Sequence, residues 1–127
     1  MEFNTIQKDK KLASYLKKSK CKLLISWHDF KKTPNESQLK SRLKKMEKFS
    51  NVVKIVTVAK NVSDASRLLS LYSVKSKNKM VAFCMGDQGK FSRILCLHLG
   101  SPFTYVSLGK AIAPGQFSVD EIKSLEN

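Results

Sequence analysis

Lys54 stands in the middle of the apolar, β-branched run Val52-Val53-Lys54-Ile55-Val56-Thr57-Val58. Such a run, ending before the turn-forming residues Asn61 to Ser63, reads as a buried strand of the parallel-sheet type. An unpaired ammonium is costly to bury, so the side chain either escapes to water from a half-exposed edge strand or is held dry for a purpose. Low dielectric lowers the pKa of a lysine, and a neutral amine attacks a carbonyl to form an imine. The run alone leaves both readings open. His28 closes a second apolar run, Lys22-Leu23-Leu24-Ile25-Ser26-Trp27-His28. Side chains alternate along a strand, so Leu24, Ser26 and His28 share one face, as do Val52, Lys54 and Val56. Neighbouring strands lie less than about 5 Å apart, which brings His28 and Lys54 to one rim of a sheet. A histidine there supplies a general acid and base for imine chemistry near neutral pH; the plainer alternative is a histidine satisfied at a strand end.

Positioning such a pair falls to alternating helices and strands. Residues Asn4 to Ser19 carry Ile6, Leu12, Tyr15 and Leu16 among lysines and read as a basic amphipathic helix. After the His28 strand, Thr33-Pro34-Asn35-Glu36 reads as a helix start with Thr33 as cap and Glu36 completing a capping box. In that helix Leu39, Leu43, Met46 and Phe49 recur at helical spacing among lysines. Ser63 is expected to cap the next helix, with Val62, Ala65, Leu69 and Tyr72 facing inward. Met80 to Met85 reads as the third strand, Ser92 to Leu99 as a short helix, Phe103 to Val106 as the fourth strand, and Ser118 with Glu121 as the capping box of a last helix stapled by Phe117 and Ile122. Glu2-Phe3-Asn4 can be the stump of an earlier strand.

Alternation of this kind implies parallel pairing through right-handed crossovers, an α/β fold. The strand spacing of roughly 25 to 30 residues is that of a (β/α) barrel unit, of which eight need about 250 residues, so the expectation is an incomplete (β/α)8 barrel of four to five units in one domain, 1–127. No glycine-rich phosphate loop follows the first strand, which disfavours a dinucleotide fold.

Composition narrows the rest. With 127 residues and 42% hydrophobic content, one modest core is expected. No apolar stretch approaches the roughly 20 residues of a membrane span, and Met1-Glu2-Phe3-Asn4 lacks a signal-peptide pattern, so the expected compartment is the cytoplasm. Cys21, Cys84 and Cys96 have no C-x-x-C spacing and read as reduced thiols, neither a disulfide framework nor a zinc site. The net charge of +14 is weighted toward residues 1–50, which hold 14 Lys/Arg against 5 Asp/Glu. No RNP-type motif, zinc-finger spacing or Gly-x-x-Gly clamp accompanies these lysines, so weak polyanion binding is compatible with them and specific nucleic-acid recognition is not expected.

Four segments, Ser26-Trp27-His28-Asp29-Phe30-Lys31-Lys32-Thr33-Pro34, Val53-Lys54-Ile55, Met85-Gly86 through Ser92-Arg93, and Ala113-Pro114-Gly115-Gln116, resemble in order the signatures of type I 3-dehydroquinate dehydratase. The resemblance covers nearly the whole chain and corresponds to the carboxyl-terminal half of that (β/α)8 barrel. It implies a lyase of the shikimate pathway that dehydrates 3-dehydroquinate to 3-dehydroshikimate without metal or organic cofactor. It makes Lys54 the amine that forms the imine, His28 the general acid and base, Arg93 the partner of the substrate carboxylate, Gln116 a polar substrate contact, and Met85 and Tyr105 walls of the pocket. Phe83 stands where the family often has methionine, and Ile112 where many members carry serine. The amino-terminal barrel half, which supplies further acidic and arginine contacts, has no counterpart. Three readings follow: the carboxyl-terminal part of the enzyme, weak or inactive until joined by an amino-terminal half; a catalytically dead remnant closing a barrel as a homodimer; and a basic binding module.

Overall fold

The computed structural model describes residues 1–126. Its centre is a three-stranded parallel sheet of β1 (Leu24–Asp29), β2 (Val52–Val58) and β3 (Lys79–Met85) in the order β1-β2-β3. Leu24 is level with Val52, and Val52 with Lys79, so all three strands start at the same end of the sheet. Crossovers run through α3 (Glu36–Glu47) between β1 and β2, and α4 (Val62–Leu69) with a 3-10 turn at Ser70–Ser73 between β2 and β3. A further 3-10 turn at Asp87–Gly89 leads into α5 (Ser92–His98). No helix among the described residues is long and apolar enough to cross a membrane.

The two faces of the sheet differ. One carries Ile25, Trp27, Val53, Ile55, Ala82 and Cys84 and packs against Leu39, Leu43 and Met46 of α3 and Ala65 and Leu68 of α4, all buried. Those positions recur three and four apart on their helices, which is why the crossovers lie flat on this face. The other face presents Ser26, His28, Lys54, Val56, Val81, Phe83 and Met85; its apolar members nearest β3 pack with Cys96 of α5.

Several expected boundaries move. The basic amphipathic segment is two helices, α1 (Phe3–Lys8) and α2 (Lys10–Lys18), because Asp9 takes extended backbone angles and its carboxylate caps α2 at the Leu12 N–H, 2.9 Å away. Asn35, not Thr33, caps α3, in a capping box with Gln38 in place of Glu36. Thr33 is buried instead: its hydroxyl donates to the Val58 carbonyl at 2.8 Å and meets the Thr57 hydroxyl at 2.7 Å. Asn61, not Ser63, caps α4, accepting from Asp64 N–H at 2.8 Å. Inward-facing positions on α4 are Ala65, Leu68 and Leu69, whereas Val62 is exposed. The Ser118/Glu121 capping box forms as expected, at the start of α6 (Val119–Glu126).

Phe103 to Val106 does not make a fourth strand of the sheet. Only β4 (Val106–Ser107) is extended, and it pairs in parallel with β5 (Phe117–Ser118) as a separate two-residue ladder. Phe103, Thr104 and Tyr105 lie in irregular backbone, with the Phe103 and Tyr105 rings packed edge to face at 5.7 Å. On the opposite edge, Glu2 makes an isolated parallel bridge to Ser26, and the Met1 carbonyl accepts from the Ser26 N–H at 2.9 Å. Phe3 and Asn4, read as part of a strand stump, already belong to α1.

Candidate active site

Lys54 sits at the third position of β2, level with Ser26 on β1 and Val81 on β3. His28 lies two residues further along β1, level with Val56, so imidazole and amine share the face that the crossover helices leave free, with His28 nearer the carboxyl end. The edge-strand alternative for Lys54 fails, because β2 is the central strand and is paired on both sides.

The Lys54 side chain is partly buried, and its Nζ stands 4.1 Å from the centroid of the Tyr105 ring. Burial pulls its pKa below the ordinary lysine value; the positive charge of Arg93 pulls the same way, and the carboxylate of Glu2 opposes both. Glu2 joins the group through its isolated bridge. Its Oε2 lies 3.1 Å from Nδ1 of His28 and accepts from the Ser26 hydroxyl at 3.1 Å. A carboxylate on Nδ1 orients the ring so that Nε2 is the atom left to exchange protons with anything lying against the sheet. The Phe30 ring stacks on the same imidazole, 5.6 Å centroid to centroid and within 8° of parallel.

Glu2 is the site residue that the motifs missed. Its signal was present in the strand stump, because a segment pairing in parallel with β1 beside Ser26 must send every second side chain to the Lys54 face.

Arg93 is the first turn of α5 turned inward and is 3% exposed. Its guanidinium covers the Phe83 ring at 4.5 Å and donates from Nη2 to the Pro114 carbonyl at 3.3 Å, while Nε has no hydrogen-bond partner among the described residues. Burial lowers its pKa from the usual arginine value, but a guanidinium remains charged in this range. A buried cation with an unused donor calls for an anion.

The Pro114 carbonyl also accepts from Gly86 N–H at 3.2 Å, which fastens the Ala113–Gln116 loop to the end of β3. Gln116 spends its side-chain carbonyl inside that loop, accepting from Ile112 N–H at 3.0 Å and Ala113 N–H at 3.4 Å. Its amide nitrogen is the part left for another molecule. Met85 is buried at the carboxyl end of β3, and Tyr105 bridges Lys54 to Phe83, whose ring centroid is 6.0 Å away. Ile112 is 89% exposed and meets this group through its backbone N–H to Gln116.

An amine with a depressed pKa, an oriented imidazole and an anion-seeking guanidinium on one sheet face suit attack on the ketone of a carboxylated substrate. A family model described as type I 3-dehydroquinase matches residues 1–126. The 3-dehydroquinate dehydratase of Pyrobaculum aerophilum is 47% identical over 103 residues, covering 81% of this chain and 34% of that protein. Among solved structures, the 3-dehydroquinate dehydratase of Aquifex aeolicus VF5 superposes with a TM-score of 0.82 at 33% identity, over 99% of this chain and 57% of that one. The type I enzyme of Clostridium difficile, solved with covalently modified comenic acid, gives 0.83 at 26% identity, over 98% and 52%. The chain thus spans about half the length, or less, of the relatives it matches. Over the length it does span, this chain belongs to the type I 3-dehydroquinase family.

Proposed function

We propose that the chain carries the imine-forming half of a 3-dehydroquinate dehydratase barrel. The observation that carries this reading is the placement of Lys54, with its lowered pKa, on the same sheet face as the Glu2–His28 pair. The amine adds to the substrate ketone, and loss of water from the carbinolamine gives an imine. Protonated, that imine withdraws electrons from the neighbouring carbon, and His28 removes a proton there. The electron pair left behind expels the β-hydroxyl, which leaves as water with the proton held by His28. Hydrolysis of the imine frees 3-dehydroshikimate and restores the amine. Arg93 holds the carboxylate through its unused Nε and its Nη groups; Gln116, Met85 and Tyr105 line the remaining walls.

The site needs a second half. Among the described residues only single rings, Phe30 on His28 and Tyr105 on Lys54, lie over the β1 side of this sheet face, where Ser26, His28 and Lys54 keep partial exposure. The substrate's hydroxyl groups lack counterparts among Glu2, His28, Lys54 and Arg93. An amino-terminal barrel half, completing an arrangement in which this chain supplies four to five units, is the partner we favour; a homodimer is the alternative. The compartment in this reading is the cytoplasm, and the reaction uses no metal or organic cofactor.

Borohydride reduction in the presence of 3-dehydroquinate tests the mechanism. In a folded sample complemented by an amino-terminal half, Lys54 should gain the ketone's mass plus two hydrogens, less one water for the substrate imine or two waters once the β-hydroxyl has left, and Lys54→Ala should gain nothing. His28→Ala should still be trapped while turning over far more slowly, because its task is proton transfer and not attachment. A complemented sample that binds 3-dehydroquinate but yields no adduct would sink the proposal.

A further inference from the structure

Parallel strands sort loops by end: every helix-to-strand connection lies where the strands begin, and every strand-to-helix connection where they finish. At the starting end, the last turn of α2 and its connection carry Lys17, Lys18, Lys20 and Lys22. The end of α3 and its connection add Lys44, Lys45 and Lys48, and the approach to β3 adds Lys75, Lys77 and Lys79. All ten are exposed, and none is in an ion pair among the described residues. Glu47 is the one acidic residue on these stretches, and it accepts from the Ser76 hydroxyl at 2.5 Å. At the finishing end the balance is mixed, with Lys31, Lys32, Lys60 and Lys90 interspersed with Asp29, Glu36, Asp64 and Asp87.

We propose that the lysine-bearing starting end of the sheet is a binding surface for the phosphate backbone of a polynucleotide, without preference for base sequence. A one-signed cluster on three adjacent connections raises local anion concentration and gains from counterion release at a phosphate chain. Asn51 and Asn78 lie between the lysines and add neutral donors of the kind that hold phosphate oxygens, whereas the Ser19 and Ser50 hydroxyls are spent on the Leu16 and Leu23 carbonyls. Base reading has no instrument here. The chain's three arginines are engaged elsewhere: Arg42 stacks over Trp27 and Phe3, Arg67 bonds Asp64 and the Thr33 carbonyl, and Arg93 is buried. Tyr15, in the last turn of α2, is the one large exposed apolar side chain on these stretches among the described residues, so a bilayer would find charge to attract but only a single ring to insert. A six-residue strand spans roughly 20 Å, so a backbone bound at this end leaves the His28 end open.

The test is fluorescence anisotropy of the 127-residue chain with labelled single-stranded and duplex oligonucleotides of mixed sequence, titrated between about 50 and 200 mM salt. Engagement of about five lysines on a duplex predicts a log–log salt slope near −4.5, or about a 500-fold loss of affinity over that range. Lys→Gln at Lys20, Lys22, Lys75, Lys77 and Lys79 should remove most of the slope and the binding. The same change at Lys31, Lys32, Lys60, Lys110 and Lys123 subtracts equal charge and should leave the slope nearly intact. Lys→Arg at the first five positions keeps the charge and should keep the binding, which separates a lost surface from a lost fold. Equal losses from both sets, no binding at the lower salt, or tighter binding to phosphatidylserine vesicles or polyglutamate than to either oligonucleotide would each overturn the proposal.

Discussion

Gly115→Ala is the perturbation whose cost the geometry specifies most closely. Gly115 has φ +72°, and a Cβ built there falls 2.4 Å from the Gly86 carbonyl oxygen. The left-handed backbone costs an alanine about 1–2 kcal/mol. The overlap then forces the Ala113–Gln116 loop away from the end of β3, straining the two hydrogen bonds accepted by Pro114 from Gly86 and Arg93. A neutral hydrogen bond contributes about 0.5–1.5 kcal/mol and one to a charged group about 1.5–3 kcal/mol, so partial loss of both brings the total to about 3–5 kcal/mol. That is a large share of the roughly 5–15 kcal/mol that holds a domain folded, and corresponds to a fall of about 10–20 °C in Tm for a chain of this size. Two other glycines separate the contributions. Gly100 has φ +115° with nothing within 4 Å of a built Cβ, so its alanine variant should show the backbone cost alone. Gly109 has open space and no positive φ, and its variant should melt at or slightly above the parent because alanine narrows the unfolded ensemble. Melting of the purified chains by circular dichroism, each scanned under identical conditions, gives the order Gly109→Ala, Gly100→Ala, Gly115→Ala. If Gly115→Ala melts within about 2 °C of Gly109→Ala, the reasoning from loop seating to Arg93 is wrong.

The lowered pKa of Lys54 has a definite sign in stability. Above the ordinary lysine value of 10.5 the amine is neutral in folded and unfolded chains alike; as pH falls through that value the unfolded chain takes the proton first, and the penalty on the folded state grows until its own lower pKa is passed and stays at full size below it. Lys54→Met should therefore gain most over the parent near neutral pH, with the gap in urea midpoint closing as pH rises to 10.5; a gap that widens instead refutes the assignment. Glu2→Gln removes the carboxylate that opposes the lowering at Lys54, so the pH profile of borohydride trapping in a complemented sample should move toward lower pH, and an unmoved profile would dismiss Glu2 from the site. Burial raises the pKa of Cys84 and Cys96 and hides both thiols, whereas Cys21 is exposed. Maleimide at neutral pH should label one thiol in the native chain and three in urea; native labelling of Cys96 would contradict the packing of α5 on β3, and of Cys84 the packing of the crossover helices on the other face.

Much of the sheet was legible because buried strand positions must be apolar: β2 and β3 are buried over most of their length, and β1 alternates buried Ile25 and Trp27 with half-buried neighbours. Alternation fixed which residues share a face with His28 and with Lys54 on their own strands, and the register of Ser26 with Lys54 put the two on one face. Helix starts were less legible. Thr33, Asn35, Asn61 and Ser63 are all competent caps, and the choice fell to backbone angles and to burial: the Thr33 hydroxyl was drawn under the sheet by Thr57 and the Val58 carbonyl. Phe103 to Val106 has strand composition, yet its rings pack on Phe83 and over Lys54 while the backbone stays irregular, because side-chain packing competes with ladder formation in so short a segment.

The sequence by itself determined which residues could carry imine chemistry, since an amine inside an apolar run and a histidine at a strand end are local facts. Tertiary structure decided what surrounds them. Glu2 reaches His28 across 26 positions of chain, Arg93 is bound to Pro114 across 21, and Lys54 is held half-buried on the central strand beside the Tyr105 ring, 51 positions on in the sequence. Contacts of that separation follow from strand order and register, which no local pattern encodes, and they set how far burial and neighbouring charge lower the pKa of one amine.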